Sequence, residues 1–163
     1  MLMKLLLDTH IWLWSVLEPR RLSKRIARAI GNREHRVWLS PISVWKLLML
    51  TQKGRVQLNE DAVSGARRTV DQLQLQEAPL SFEVALETST PSLGHSDPSD
   101  RFIAASAKVF DLTPVTADEK LIAAPGVKAQ LNRQGAELTP SRSSPSSEPH
   151  PYLAGSGDSE ELE

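Results

Sequence analysis

Apolar and polar positions alternate along this chain in blocks that read as short buried strands separated by helices. Leu5-Leu6-Leu7 is an apolar run ending abruptly in Asp8, the pattern of a strand buried on both faces of a parallel sheet. His10 to Leu17 is apolar nearly all round and predicts a short buried helix, stopped at Glu18-Pro19 because the residue before proline is forced out of helical geometry. Ser23 caps a helix over Lys24 to Ile30, with Ile26, Ala27 and Ile30 on one face and Gly31-Asn32 as the stop. Arg36 to Leu39 reads as a second strand. Ser40-Pro41 then opens a helix over Ile42 to Gln52, with Ser as the cap, Pro in the first turn and Gly54 as the stop.

The second half continues the alternation. Asn59-Glu60-Asp61 opens a helix to about Leu73, Leu75 to Ala78 is a short strand, and Ser81 caps Phe82 to Glu87. Pro91 to His95 reads as loop. Asp97-Pro98-Ser99-Asp100 opens a helix over Arg101 to Phe110, with Asp97 at the N-cap, Pro98 at the first position and Asp100 at the third, all favourable to the helix dipole. Leu112 to Val115 is a further strand, and Thr116 to Glu119 has the spacing of a capping box for a helix to about Ala123. Gly126 to Ala129 is a candidate last strand. Strands alternating with helices predict an α/β domain with a mostly parallel central sheet.

Composition changes the picture at one end. From Thr139 to Glu163 the chain is rich in Ser, Pro, Gly and Glu, with Tyr152 as its aromatic residue. Such a segment buries too little apolar surface to offset its ordering entropy. The expected division is a folded domain over 1–138 and a disordered tail over 139–163. The overall charge of −1 conceals an asymmetry, since the tail has one base against five acids and residues 1–138 have 18 Lys and Arg against 15 Asp and Glu. A mildly basic body is compatible with nucleic acid. The absence of cysteine excludes disulfides, thiolate zinc sites and Cys nucleophiles. No secretory signal or membrane-spanning stretch is evident, so the expected location is cytoplasmic, with no membrane partner.

Three carboxylates stand where strand ends meet helix starts: Asp8, Asp100 and Asp118. In a parallel sheet these positions can converge at one edge, the usual ligand-binding edge. Clustered carboxylates repel, and Mg²⁺ or Mn²⁺ relieves that repulsion with oxygen ligands. Such an ion can supply a hydroxide and stabilise phosphoryl displacement. The plainer alternative makes Asp100 and Asp118 helix N-terminal acids, each stabilising by roughly 0.3–1 kcal/mol, and Asp97 a cap. Asp8 resists that alternative, because an acid closing a buried strand needs a partner or an ion.

Four stretches together resemble the PIN-domain family, and within it the VapC-type toxins of toxin–antitoxin pairs. They are Leu-Leu-Asp-Thr-His-Ile-Trp-Leu-Trp (6–14), Leu-Ser-Pro-Ile-Ser-Val-Trp-Lys-Leu (39–47), His-Ser-Asp-Pro-Ser-Asp-Arg-Phe-Ile-Ala-Ala-Ser-Ala (95–107) and Pro-Val-Thr-Ala-Asp-Glu-Lys-Leu (114–121). The likeness spans about residues 3–130. It implies a three-layer α/β/α fold, Mg²⁺- or Mn²⁺-dependent hydrolysis of RNA, a cognate antitoxin and a homodimer. Asp8, Asp100 and Asp118 match the family's first, third and fourth metal-site acids, and Asp97 matches a frequent auxiliary acid. Thr9 and Thr116 match positions whose hydroxyls orient acids or water, and Arg101 lies beside the acids, set to pair with one or to touch phosphate.

The chain departs from the family at one position. The pattern Ser-x-Trp-Glu is here Ser43-Val44-Trp45-Lys46, and no acid lies elsewhere between Ile42 and Gln52. An ammonium in place of a carboxylate changes the local charge by two units, and at ~4 Å from another cation costs a few kcal/mol at an effective dielectric near 20. Lys46 is expected to form ion pairs with Asp8 and Asp100, or to swing outward on its flexible stem. Two function classes follow: a metal-dependent endoribonuclease, impaired by Lys46, or a catalytically degenerate domain that binds antitoxin or RNA. A phospho-acceptor domain also places an Asp after an early strand, but needs an acidic pair and a late Lys that the sequence does not present. His10, His95 and the four tryptophans fit hydrogen-bonding, surface and core roles.

Overall fold

A computed structural model of the chain describes residues 1–90, 97–122 and 126–133. Among the described residues there are five strands and seven helices: β1 Lys4–Leu7, α1 Thr9–Leu17, α2 Lys24–Gly31, β2 Arg36–Leu39, α3 Pro41–Gln52, α4 Ala62–Gln72, β3 Gln76–Glu77, α5 Phe82–Glu87, α6 Pro98–Val109, β4 Thr113–Thr116, α7 Glu119–Ile122 and β5 Gln130–Leu131. A 3₁₀ turn, Pro19–Arg21, joins α1 to α2. The strands form one sheet in the order β3-β2-β1-β4-β5, every pair parallel.

β1 is central, so its three leucines have neighbours above and below as well as on both sides. Leu5, Leu6 and Leu7 retain no exposed surface. Leu5 and Leu7 point into a core with Ile11, Trp12, Ile26 and Leu47, while Leu6 points into a second core with Ile103, Ala104 and Leu121. Successive strand residues face opposite sides, so this run feeds two helical layers at once, giving the three-layer α/β/α arrangement. The connection order reverses between β1 and β4, the point where an open parallel sheet leaves a crevice beyond its carboxyl ends. Among the described residues no helix is long and apolar enough to cross a membrane.

The helix starts follow their caps. Ser23, Ser40 and Ser81 accept bonds from the Ile26, Ile42 and Val84 amides, each satisfying a first-turn donor that has no partner in its own helix. Gly54 takes φ +68, the left-handed region that glycine enters without strain, where α3 turns toward α4.

α6 begins at Pro98, the first position expected behind the Asp97 cap, and Asp97 accepts from the Ser99 amide. Other local features differ from the sequence expectation. The Thr116–Glu119 capping box does not form: Thr116 ends β4 and accepts from the Asp118 amide, while Asp118 accepts from the Lys120 amide at the start of α7. The last strand is Gln130–Leu131, later than Gly126 to Ala129. The loop over Pro91 to His95 and the tail over 139–163 lie outside the described residues.

Candidate functional site

Asp8 follows directly on β1 and caps α1, so the strand end and the helix start fix one carboxylate between them. Its side chain is buried, and both oxygens are engaged. Oδ1 accepts from the Thr9 amide at 2.6 Å, and Oδ2 accepts from the Thr116 hydroxyl at 2.8 Å. Thr116 is the last residue of β4, so this bond closes the crevice between the two strands at the reversal point. Thr9 extends the chain on the other side, donating from Oγ1 to Ser43 Oγ in α3 at 2.9 Å. Thr9, Ser43 and Thr116 have no exposed surface. Each carboxylate oxygen of Asp8 still has acceptor capacity beyond these bonds.

Lys46 lies one turn beyond Ser43, on the same face of α3. Its ammonium goes to the start of α6 rather than to Asp8. Nζ donates to Asp97 Oδ2 at 2.6 Å and to Ser99 Oγ at 3.0 Å. Ser99 in turn donates its hydroxyl and its amide to Asp97 Oδ1, at 2.8 and 2.9 Å. The expected pairing of Lys46 with Asp8 and Asp100 is therefore corrected: the partner is Asp97, because the α6 cap presents its carboxylate across the α3–α6 contact. The outward-swinging alternative is excluded as well, since the Lys46 side chain is only 13% exposed. Asp97 is thus a cap and an ion-pair partner, with both oxygens committed.

Burial raises the Asp97 pKa, but the bond from Lys46, the two bonds from Ser99 and the Lys46 charge outweigh it, holding the carboxyl at about 2 against an ordinary 3.8. A depressed carboxyl pKa contributes stability above the unfolded value and loses it as pH falls through the folded one. The pair should therefore support the fold above pH 3.8 and cease to do so near pH 2. Asp97 is 42% exposed, so solvent screening keeps the contribution at or below about 1 kcal/mol. In acid titrations of stability, Lys46→Met should flatten the limb between these two values; an unchanged limb would remove the pair from the explanation.

Asp100 sits in the first turn of α6 and Asp118 just ahead of α7. Both acids, and Arg101, are engaged by hydrogen-bonding or electrostatic neighbours. Thus the ends of β1 and β4 and the starts of α3 and α6 bring Asp8, Thr9, Ser43 and Thr116 into one bonded chain, with Lys46, Asp97 and Ser99 as a second one turn along α3. Among the described residues, no group of three or more His, Cys, Asp and Glu is gathered to hold a metal ion. Asp97, the auxiliary acid, already holds an ammonium, and Lys46 brings positive charge to the position where the resemblance sets a carboxylate, so in this arrangement neither serves a divalent cation. His95 lies outside the described residues. Ser43 and Ser99 carry key bonds that sequence reading did not single out. Ser43 was readable as the same-face neighbour of Lys46, and Ser99 as the residue two after a helix cap.

The PIN domain family model matches residues 5–127. Ribonuclease VapC22 of Mycobacterium tuberculosis is 30% identical over 119 residues, covering 71% of this chain and 88% of that protein. Among solved structures, VapBC2 from Rickettsia felis, bound to a DNA fragment from its promoter, superposes with a TM-score of 0.61 at 15% identity, over 80% of this chain and 98% of that one. FitAcB from Neisseria gonorrhoeae superposes with a TM-score of 0.54 at 25% identity, over 77% of this chain and 95% of that one.

Proposed function

The chain belongs to the PIN domain family, and on that premise we propose that it is an RNA-directed toxin of the VapC kind, a ribonuclease whose cleavage is impaired by Lys46. The carrying observation is the buried Asp8, held by Thr9 and Thr116 at the reversal point of the sheet. There the acid orients a water or a substrate hydroxyl through its remaining lone pairs, with Thr116 fixing its rotamer. Lys46 supplies a fixed positive charge near a bound phosphate. Mg²⁺ or Mn²⁺, implied by the resemblance, is assigned no step with these side chains. Asp100, Asp118 and Arg101 are proposed as supporting residues at the rim. The partner is proposed to be a small antitoxin, as the names of the VapBC relatives suggest, and the assembly a homodimer.

The Lys46–Asp97 pair favours a second reading: a degenerate domain that binds RNA or antitoxin without cutting. One assay separates the two. Single-stranded RNA is incubated with wild type and Asp8→Asn, each with Mg²⁺, with Mn²⁺ and with chelator. The ribonuclease reading expects slow cleavage by wild type and background levels for Asp8→Asn. Background cleavage by wild type in every condition, with RNA still bound, would leave the binding protein standing and sink the enzyme.

A further inference from the structure

The segment from Arg20 to Arg36 holds seven bases and one acid, Glu34. The structure gathers part of that charge on one surface. Lys24, Arg25 and Arg28 of α2 line an open groove of about 490 Å³ with Ala29, Asn32 and His35. Among the described residues, none of these three bases pairs with an acid. His35 accepts from the Met3 amide through Nδ1, and its Nε2 lies 3.5 Å from the Asn32 side-chain nitrogen. The groove is therefore lined largely by donors, the chemistry that receives phosphate oxygens.

The position of this groove matters as much as its charge. Asn132 takes the Thr116 carbonyl with its amide at 2.7 Å. Its side chain accepts from the Ser23 amide at 2.6 Å and donates to the Arg21 carbonyl at 2.9 Å. Thr116 is the residue that holds Asp8, so Asn132 brackets the N-terminus of α2 onto the strand end beside the candidate site. Arg21 packs over the Trp14 ring, 4.1 Å from its centroid, and fixes the same corner against α1. The basic surface of α2 thus starts next to the crevice and runs away from it, its three bases spanning about 6 Å of helix axis.

We propose that α2 is a backbone track for single-stranded RNA leaving the Asp8 crevice, with Lys24, Arg25 and Arg28 as its phosphate contacts. This rests on the RNA-directed reading and deepens it. A membrane surface is the other anionic macromolecule to consider. An interfacial helix inserts its apolar face into lipid, whereas the apolar face of α2 is spent inside the protein, with Ile26 fully buried and Ala29 and Ile30 packed on the same core. Backbone contacts carry affinity without sequence preference, so the track raises binding to any single strand long enough to reach it.

The test is binding of a fluorescent single-stranded RNA by anisotropy, in chelator, over a salt series. It compares wild type, Lys24→Gln/Arg25→Gln/Arg28→Gln, and the charge-preserving Lys24→Arg/Arg25→Lys/Arg28→Lys, with vesicles of phosphatidylcholine and phosphatidylserine as a parallel arm. The neutral variant should bind RNA at least about tenfold more weakly at low salt, and its log–log salt slope should be shallower by about 2. The charge-preserving variant should bind like wild type. RNA bound equally by wild type and the neutral variant would overturn the track and leave the RNA-directed reading intact. No RNA binding by wild type would overturn both. Charge-dependent vesicle binding without RNA binding would assign the face to lipid instead and overturn the proposal.

Discussion

Lys46→Glu should make the stability of this protein depend on a divalent cation. In chelator the variant should melt about 5 °C below wild type, and a saturating Mn²⁺ concentration should restore most of that loss. Wild type should be indifferent to both. Lys46 and Asp97 are bonded at 2.6 Å. Exchanging ammonium for carboxylate turns an attraction into a repulsion. Two unit charges ~4 Å apart repel by up to about 4 kcal/mol at an effective dielectric of 20. With Asp97 partly open to solvent, about half of that should survive, and each kcal/mol moves the midpoint by about 2–4 °C in a chain of this size. A cation that binds the folded state alone returns about 2.7 kcal/mol at a hundred times its dissociation constant. RNA cleavage in Mn²⁺ should rise at least about tenfold with the regained site. Differential scanning fluorimetry and a cleavage assay read the two effects. A variant whose midpoint ignores Mn²⁺ would show that position 46 is not the missing ligand.

That prediction depends on a contact the sequence did not disclose. Position 46 is readable as a departure from the family pattern, and Asp97 as a helix cap, but the two lie 51 residues apart. Their meeting is set by how α3 packs on α6, which no local pattern encodes. The same holds for Asn132, which ties the end of β4 to the start of α2 from the far end of the domain. Local signals read well where one residue decides the geometry. Ser23, Ser40, Ser81 and Asp97 cap the helices they were expected to open, because a first-turn amide has few other partners. The Thr116 capping box failed for an instructive reason. Its hydroxyl donates to Asp8, and its lone pair serves the Asp118 amide, so a tertiary bond displaced a local motif. The α/β architecture and the parallel sheet were legible because a leucine run with no polar face has to be covered on both sides.

The run also sets how much the site depends on the core. Leu6→Ala should lower the unfolding free energy by about 3–5 kcal/mol, the range for a fully buried leucine whose cavity cannot collapse. Leu6 has no exposed surface, lies on the central strand and is the sole β1 side chain in the core beneath α6. Strands pair with it on both sides, Trp38 on β2 and Pro114 on β4, so the backbone cannot move to fill the void. Typical domains hold only 5–15 kcal/mol in total, so the variant should populate unfolded chain under mild denaturant. Leu6→Met, which conserves volume, should cost less than about 1.5 kcal/mol. Urea unfolding of the two variants tests this, and a loss below 1.5 kcal/mol for Leu6→Ala would mean that the layer under α6 closes over the gap. The consequence for function follows from covalent distance. Asp8 is two residues on, and its bond to Thr116 requires β1 and β4 to keep their register. Where the folded fraction of Leu6→Ala is high, Asp8-dependent chemistry should survive in proportion to it, because the bonds that hold Asp8 come from Thr9 and Thr116 and not from the apolar core around Leu6; a disproportionate loss would mean that the α6 layer positions the carboxylate as well as supporting the sheet.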